Sequence, residues 1–565
     1  MTPADWIVLG LTLLGIILYG LYKSRTTKNL EGYFLSNREL PWYLVLLSIM
    51  GTQASAVTFL SGPGQAYTDG MRFVQYYFGL PLAMVLLCIT FVPIFHKLKV
   101  FTAYQFLEER FDVKTRTLTS FLFLLQRGLS TGISVAAPSI ILSALLGWDI
   151  VWTNIFMGGL LIIYTVTGGA KAVAYTQQLQ LIVIFAGMFI AGYVVVHLLP
   201  DGVGFMDALH VSGRADKLNV ITTGTTDKGF DWTDRYNLWS GLIGGFFLAL
   251  SYFGTDQSQV GRYLTAKSTS ESRLGLLMNG LVKVPMQFLI LLIGTMVFAF
   301  YQFNPAPLFF NQSKVEEVKN TRYAGEVELI QKQYDSINVL KKQYVQEWTA
   351  NRQKEAEWMD LQSKSDSLRT SFKQILKKQG AKGADNDTNY IFLRFVVDYL
   401  PKGLVGLLIA VIFLAAWGSI AAALNSLASS TMVDFHKRFS KRSLTDRQEY
   451  KWSQWYTLFW GVFCIIVAQF ATAIGNSLIE AVNVLGSLFY GVILGIFLVA
   501  FYIKRIGATA VFISALVVEV GVMLSFAYSN IGFLWLNAIG ALGVVGLSLV
   551  LNLFLKRPVD RSLGQ

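Results

Sequence analysis

Thirteen mainly apolar stretches follow one another along the chain, at about 5–22, 43–62, 73–95, 117–146, 149–167, 174–199, 238–256, 275–302, 402–433, 453–472, 479–502, 507–527 and 531–555. A helix needs roughly 20 such residues to cross a bilayer. The pattern therefore predicts an all-α integral membrane protein with thirteen transmembrane helices. The first stretch runs into a basic loop and is followed by no small-residue cleavage site, which predicts a retained span rather than a signal peptide.

Two segments break the rhythm. Residues 200–237 are rich in Asp, Gly and Thr and read as an irregular external cap. Residues 303–401 differ more sharply. There Val327, Ile330, Tyr334, Ile337, Leu340, Tyr344 and Trp348 recur at helical steps, and Trp358, Leu361, Leu368, Phe372 and Leu376 resume the pattern. No Gly or Pro interrupts 326–379, yet both ends must return to one membrane surface. The spacing predicts an antiparallel helical hairpin turning near Ala350–Arg352, with a single long helix and an extended return as the alternative. Its aromatic seam of Tyr323, Tyr334, Tyr344 and Trp348 either packs the two arms together or docks a second protein.

Composition agrees with a bilayer protein: of 565 residues 53% are hydrophobic, 14% aromatic and 15% charged. The net charge of +12 does not call for nucleic acid, because basic residues gather in alternate short loops. They are Lys23, Arg25, Lys28 and Arg38; Lys97, Lys99, Arg110, Lys114 and Arg116; Arg262, Lys267 and Arg273; Lys437, Arg438, Lys441, Arg442, Arg447 and Lys451; and Lys556, Arg557 and Arg561. Their positions place the N-terminus outside and the C-terminus in the cytoplasm of a cell membrane. Cys88 and Cys464 sit in apolar runs, and four histidines are too few for a multi-histidine metal centre.

The spans are not uniform. The second carries Ser48, Gly51, Thr52, Gln53, Ser55 and Thr58 at mid-membrane, followed by Gly62-Pro63-Gly64. The seventh mirrors it with Gly241, Gly244, Gly245, Ser251, Gly254, Thr255, Asp256 and Gln257. Small polar residues pack helices closely, but paired interruptions at matching places in two halves point to an inverted-repeat transporter with its site at the midplane. The division is then a first helix and loop (1–42), a first five-helix repeat (43–199), the external loop (200–237), the start of the second repeat (238–302), the external insert (303–401), the rest of that repeat (402–502) and two C-terminal helices with a tail (503–565).

Several motifs together resemble the sodium/solute symporter family, which includes sodium-coupled glucose, iodide, multivitamin and sialic acid transporters. They are Gly32 to Arg38, Ser55 to Gly64, Thr102 to Phe111, Thr165 to Gly169, Gln257 to Arg262 and Leu424-Asn425-Ser426. The resemblance implies a LeuT-like 5+5 inverted repeat with one extra helix before and two after, and import of a solute driven by a sodium ion.

It also implies a sodium site in which Gly51, Ala54 and Ala415 offer carbonyls and Ser419 its hydroxyl, while Gly418 stands where the family usually has another hydroxyl. A hard cation wants several oxygens, so the missing one must be replaced by carbonyl or water. Where the family commonly has Thr-Asp-x-x-Gln, this chain has Thr176-Gln177-Gln178-Leu179-Gln180, which points to one sodium per cycle. The implied substrate residues are Gln53, Ser55, Thr58, Phe73, Tyr77, Tyr252, Asp256, Gln257 and Asn483. Gln53 and Tyr77 stand where the sugar branch has Asn and Glu, and Asp256 to Leu264 is closer to the iodide, multivitamin and monocarboxylate branch. A polar or anionic organic solute is expected before a sugar.

Arg127 joins this set because a charge inside a span is costly and by default functional. It either faces a substrate anion, pairs with a protein acid or snorkels to the inner surface; the sialic-acid branch has its arginine nearer Ser130. Asp434 reads as a cytoplasmic helix end and His197 as interfacial. No phosphate-binding loop supports ATP-driven transport, and no catalytic cluster supports an enzyme. A transporter-like sensor whose insert binds a partner is the rival reading.

Overall fold

The computed structural model describes residues 1–24, 30–379, 386–440, 444–471 and 477–555, with the backbone alone at 21, 23–24, 30–31, 33 and 167–172. Arg25, Lys28, Lys441, Arg442, Lys556, Arg557 and Arg561, and the side chains of Lys23 and Thr167, lie outside the described residues. Nearly all of the rest is helix. The one sheet among the described residues pairs Thr225–Thr226 with Gly229–Phe230 in the external loop.

The chain opens with α1 (Pro3–Ser24) and then the interrupted pair α2 (Trp42–Gln53) and α3 (Ala56–Asp69). Next come α4 (Leu80–Ile89), α5 (Phe91–Leu98), α6 (Val113–Leu146) and α7 (Ile150–His197). A second interrupted pair, α8 (Gly245–Thr255) and α9 (Gln257–Tyr263), precedes α10 (Thr269–Phe303). After the insert helices α11 (Ala324–Asn351) and α12 (Glu355–Lys378) follow α13 (Leu404–Ser430), α14 (Asp446–Ala471), α15 (Leu478–Tyr502), α16 (Ala508–Tyr528) and α17 (Phe533–Phe554).

The thirteen apolar stretches fall mainly in helical backbone, but the expected count of thirteen spanning helices is not reproduced one for one. Among the described residues ten helical stretches are long and apolar enough to cross a membrane alone, and Trp42–Gln53 and Ser240–Thr255 are shorter. The fifth and sixth stretches differ most from expectation, because the backbone of α7 stays helical for 48 residues through the loop expected between them. No proline stands at 167–172 to stop it.

Both anticipated interruptions are present. α2 ends where Ala54 (φ −80°, ψ 78°) and Ser55 (φ −83°, ψ 171°) leave helical geometry, and Asp256 (φ −75°, ψ 118°) does the same between α8 and α9. The Gly62-Pro63-Gly64 run, by contrast, lies inside α3. It serves close packing: a Cβ on Gly294 of α10 would come within 2.2 Å of the Pro63 carbonyl.

In the insert, α11 and α12 form the expected hairpin. Its turn is at Arg352 and Lys354, both left-handed, which overlaps the expected place at Arg352 and extends two residues past it. Trp348 and Trp358 stack beside it with ring centres 5.1 Å apart, and Tyr334, Phe372 and Leu376 fill a separate apolar core nearer the base. Of the aromatic seam, Tyr334 and Trp348 are buried, while Tyr323 and Tyr344 are half-buried.

Asp434 is more than a helix end. Its fully buried carboxylate accepts from Arg116 Nη2 at 2.7 Å and Nε at 3.0 Å, and from the hydroxyls of Thr102 (2.7 Å) and Ser120 (3.2 Å). This pins the segment after α13 to the start of α6. Breaking a buried pair by removing one partner costs about 3–5 kcal/mol. Asp434→Ala should therefore lower the unfolding midpoint in detergent clearly, with Asp434→Asn milder because it keeps an acceptor; unchanged midpoints would show that the pair holds nothing.

Candidate functional site

A helix that stops inside a membrane protein frees backbone groups that only protein or a lined cavity can accommodate. Here the break after α2 opens onto a small cavity of about 100 Å³, the share of liquid volume of roughly three waters. Gln53, Ser55, Thr58, Tyr77, Arg127, Tyr252 and Asn483, all named by the sequence, line it. Tyr76, Gln126 and Tyr490 also line it and were not foreseen. Tyr76 donates to Asn483 Oδ1 at 3.1 Å, so one hydroxyl orients the amide that faces the space.

Arg127 reaches this cavity from the middle of α6. Its guanidinium carbon lies 5.7 Å from the centre of the Tyr252 ring, and Nη1 is 3.8 Å from Asp256 Oδ2. Its Nε is buried with no hydrogen-bond partner. The arginine thus has a protein acid near it and a donor to spare, rather than snorkelling to the surface.

Asp256, Gln257 and Phe73 do not line the cavity. Asp256 caps α9, its Oδ1 accepting from the Ser258 amide at 2.7 Å and hydroxyl at 2.6 Å, while Oδ2 accepts from Tyr490 at 2.7 Å. It acts on the cavity through Arg127 and Tyr490. Gln257 turns away instead: its Oε1 accepts from the Ala103 amide (3.0 Å) and its Nε2 donates to the Phe101 carbonyl (2.8 Å). Phe73 is fully buried behind Tyr76, stacked at 5.5 Å. The restart of the helix at 257 redirects its side chain, which a motif cannot reveal.

Lys283 was also missed. It is fully buried on α10, has no hydrogen-bond partner among the described residues, and its Nζ lies 5.5 Å from the centre of the Tyr77 ring. An intramembrane lysine was the available signal.

The residues matched to a cation site gather where α2 and α13 meet α7. Gly51, Ala54, Ala415, Gly418 and Ser419 are all buried. The Ser55 amide, which would close the helix onto Gly51, donates to Gln53 instead at 3.0 Å, leaving the Gly51 carbonyl without that partner. Ser419 Oγ donates back to Ala415 at 2.9 Å, which leaves its oxygen lone pairs available. Beside them lies Gln177, accepting from Ser48 Oγ at 2.9 Å and donating to the Gly418 carbonyl at 3.0 Å and to Thr52 Oγ1 at 3.3 Å. A Cβ at Gly418 would lie 2.5 Å from Gln180 Oε1, so a side chain there would displace that flexible carboxamide. The donor set is all oxygen and suits an alkali cation.

A larger space of about 500 Å³, bounded by Phe189, Tyr193, Leu281, Pro285 and Leu289, is almost wholly apolar. With so few polar groups it offers no grip on a polar solute.

Comparison with known proteins bears on this arrangement. A family model described as the sodium:solute symporter family matches residues 33–327 and 376–518. The sodium/sialic acid symporter SiaT of Proteus mirabilis (strain HI4320) is 26% identical over 94% of this chain and 91% of its own. The sodium-coupled monocarboxylate transporter 1 of Xenopus laevis is 24% identical over 94% and 71%, and the human sodium/iodide cotransporter 31% over 45% and 38%. Among solved structures, a substrate-bound, outward-open sodium-coupled sialic acid symporter superposes with a TM-score of 0.77 at 24% identity, covering 98% of each chain. The fold is LeuT-like.

The Asp256 contacts generate a test of the site's construction. Losing a helix cap costs about 1 kcal/mol, and leaving a buried arginine without its acid costs more. Asp256→Asn should destabilise the protein in detergent through the charge alone, and Asp256→Ala further through charge and cap. Equal midpoints for the two variants would show that the cap contributes nothing.

Proposed function

The chain belongs to the sodium:solute symporter family, and on that premise we propose that it imports a small polar or anionic organic solute together with sodium by alternating access. It is a transporter and not an enzyme. The observation that carries the reading is the cavity at the α2–α3 break, where backbone interruption, Arg127 and a ring of amides and hydroxyls converge. Such a site can hold a carboxylate or similar group on one side and sodium on the other.

Sodium would bind the carbonyls of Gly51, Ala54 and Ala415 and the Ser419 hydroxyl, with Gly418 contributing no side chain. One ion per cycle follows from the neutral Gln177, which already satisfies the groups around it. The alternation of basic loops would place the N-terminus outside and the C-terminus in the cytoplasm of a cell membrane. The hairpin then stands outside, dispensable for ion coupling, and is the surface where a protein partner would dock. A sugar is disfavoured by Gln53 and Tyr77, and nothing in the cavity suits nucleic acid.

Counterflow uptake in proteoliposomes, run over a panel of metabolites with and without a sodium gradient, separates a symporter from a sensor built on the same scaffold. Sodium-dependent uptake of one or a few solutes is expected; binding without uptake would favour the sensor. In that assay Ser419→Ala should raise the half-saturating sodium several-fold, because the ion loses a hard oxygen. Unchanged sodium dependence would move the site elsewhere.

Arg127→Gln should weaken the solute while leaving sodium binding nearly intact. Removing one charged hydrogen bond costs about 1.5–3 kcal/mol, or roughly ten- to a hundred-fold in affinity. Equal loss of both ligands would instead identify Arg127 as a structural partner of Asp256.

A further inference from the structure

A second polar cavity, of about 190 Å³, lies far from the first, between the hairpin and the transporter body. Four cations line it. Lys341 comes from α11, Arg369 and Lys373 from α12, and Lys217 from the external loop. The body also contributes Thr68, near the end of α3, about ten residues beyond the cavity residue Thr58 on the same helix. The family match omits residues 328–375, so three of the four cations stand on a segment outside that match.

The charges are poorly balanced. Asp387 is shared by two of them, at 2.8 Å from Arg369 and 3.6 Å from Lys373. Asp366, the one acid lining the cavity, accepts from Gln362 at 3.0 Å. Lys341 is 3% exposed, and its ammonium donates only to the Gln362 side-chain oxygen, at 3.3 Å. Lys217 donates to the Thr68 carbonyl and lies over the Phe298 ring at 5.3 Å. Neither lysine has a carboxylate within ion-pair distance among the described residues.

A buried ammonium has three donors and is costly to leave unpaired. Burial pushes Lys341 down to about 8, with Asp366 opposing and Arg369 reinforcing the shift. An anion in the cavity would remove that penalty, and the opening is large enough for one with several oxygens. Supplying it from the protein would take another acid, and the lining has none to spare.

We propose that this cavity binds a small soluble oxyanion, of the size and chemistry of phosphate, which bridges Lys341, Arg369 and Lys373 of the hairpin to Lys217 of the transporter body. The anion ties the insert to the outer end of the interrupted helix α3, whose other end borders the central cavity. This site is independent of the substrate reading given above, because none of its residues lines the central cavity.

The test uses the full chain purified in detergent and inorganic phosphate as the probe, with chloride at matched ionic strength as the reference. Phosphate should raise the unfolding midpoint, and the concentration giving half of that rise should increase at least about ten-fold in Lys341→Gln and Lys217→Gln. Lys341→Arg should retain the effect, and Arg127→Gln should leave it unchanged. If Lys341→Gln fails to fold, Lys217→Gln, at a half-buried loop position, reads the same site. A phosphate effect no greater than that of chloride, an equal effect in the Gln variants, or an effect abolished by Arg127→Gln would overturn the proposal.

Discussion

Backbone that leaves helical geometry inside a membrane protein must find partners for the groups it frees, and the rest of this architecture is organised around two such places. At the first, Ala54 and Ser55 lie between α2 and α3. The gap is braced by Gln177 of α7, whose carboxamide joins Ser48 and Thr52 on one side to the Gly418 carbonyl on the other. At the second, Asp256 restarts the helix through its own carboxylate and draws Tyr490 and Arg127 towards the same point. One break is held by a neutral amide and the other by a charge.

That contrast has a functional consequence. A carboxylate at 177 would place a fixed negative charge beside the interrupted helix and so provide for a cation. The amide satisfies the same neighbours with no net charge, and its companion Gln180 occupies the space that a side chain at 418 would need. Gly418 and Gln177 are thus not two unrelated departures from the family pattern. They are parts of one neutral arrangement, beside which lie Gly51, Ala54, Ala415 and Ser419, the oxygen donors proposed for sodium.

Much of this was legible in the sequence, for identifiable reasons. Small polar residues at matching depths in two apolar stretches marked both breaks, since close packing explains one such patch but not their paired placement. The three- and four-residue recurrence from Val327 to Leu376 marked the hairpin, because its two arms bury a continuous seam. What escaped depended on direction in space. Gln257 follows a restart that aims it at the 101–103 loop, and Asp434 looked terminal until Arg116 arrived from a distant helix. Tyr490 and Lys283 lie on spans read mainly for their apolar character. The continuity of α7 went unseen because the apolar pattern lapses between 167 and 174 while the backbone stays helical.

The neutral brace should leave room for a single driving ion. The direct measurement is the reversal potential of solute flux in liposomes across imposed sodium and solute gradients. One sodium per solute is the predicted ratio. A ratio of two would contradict the account, because Gln177 or its neighbour Thr176 would then have to complete a second cation site.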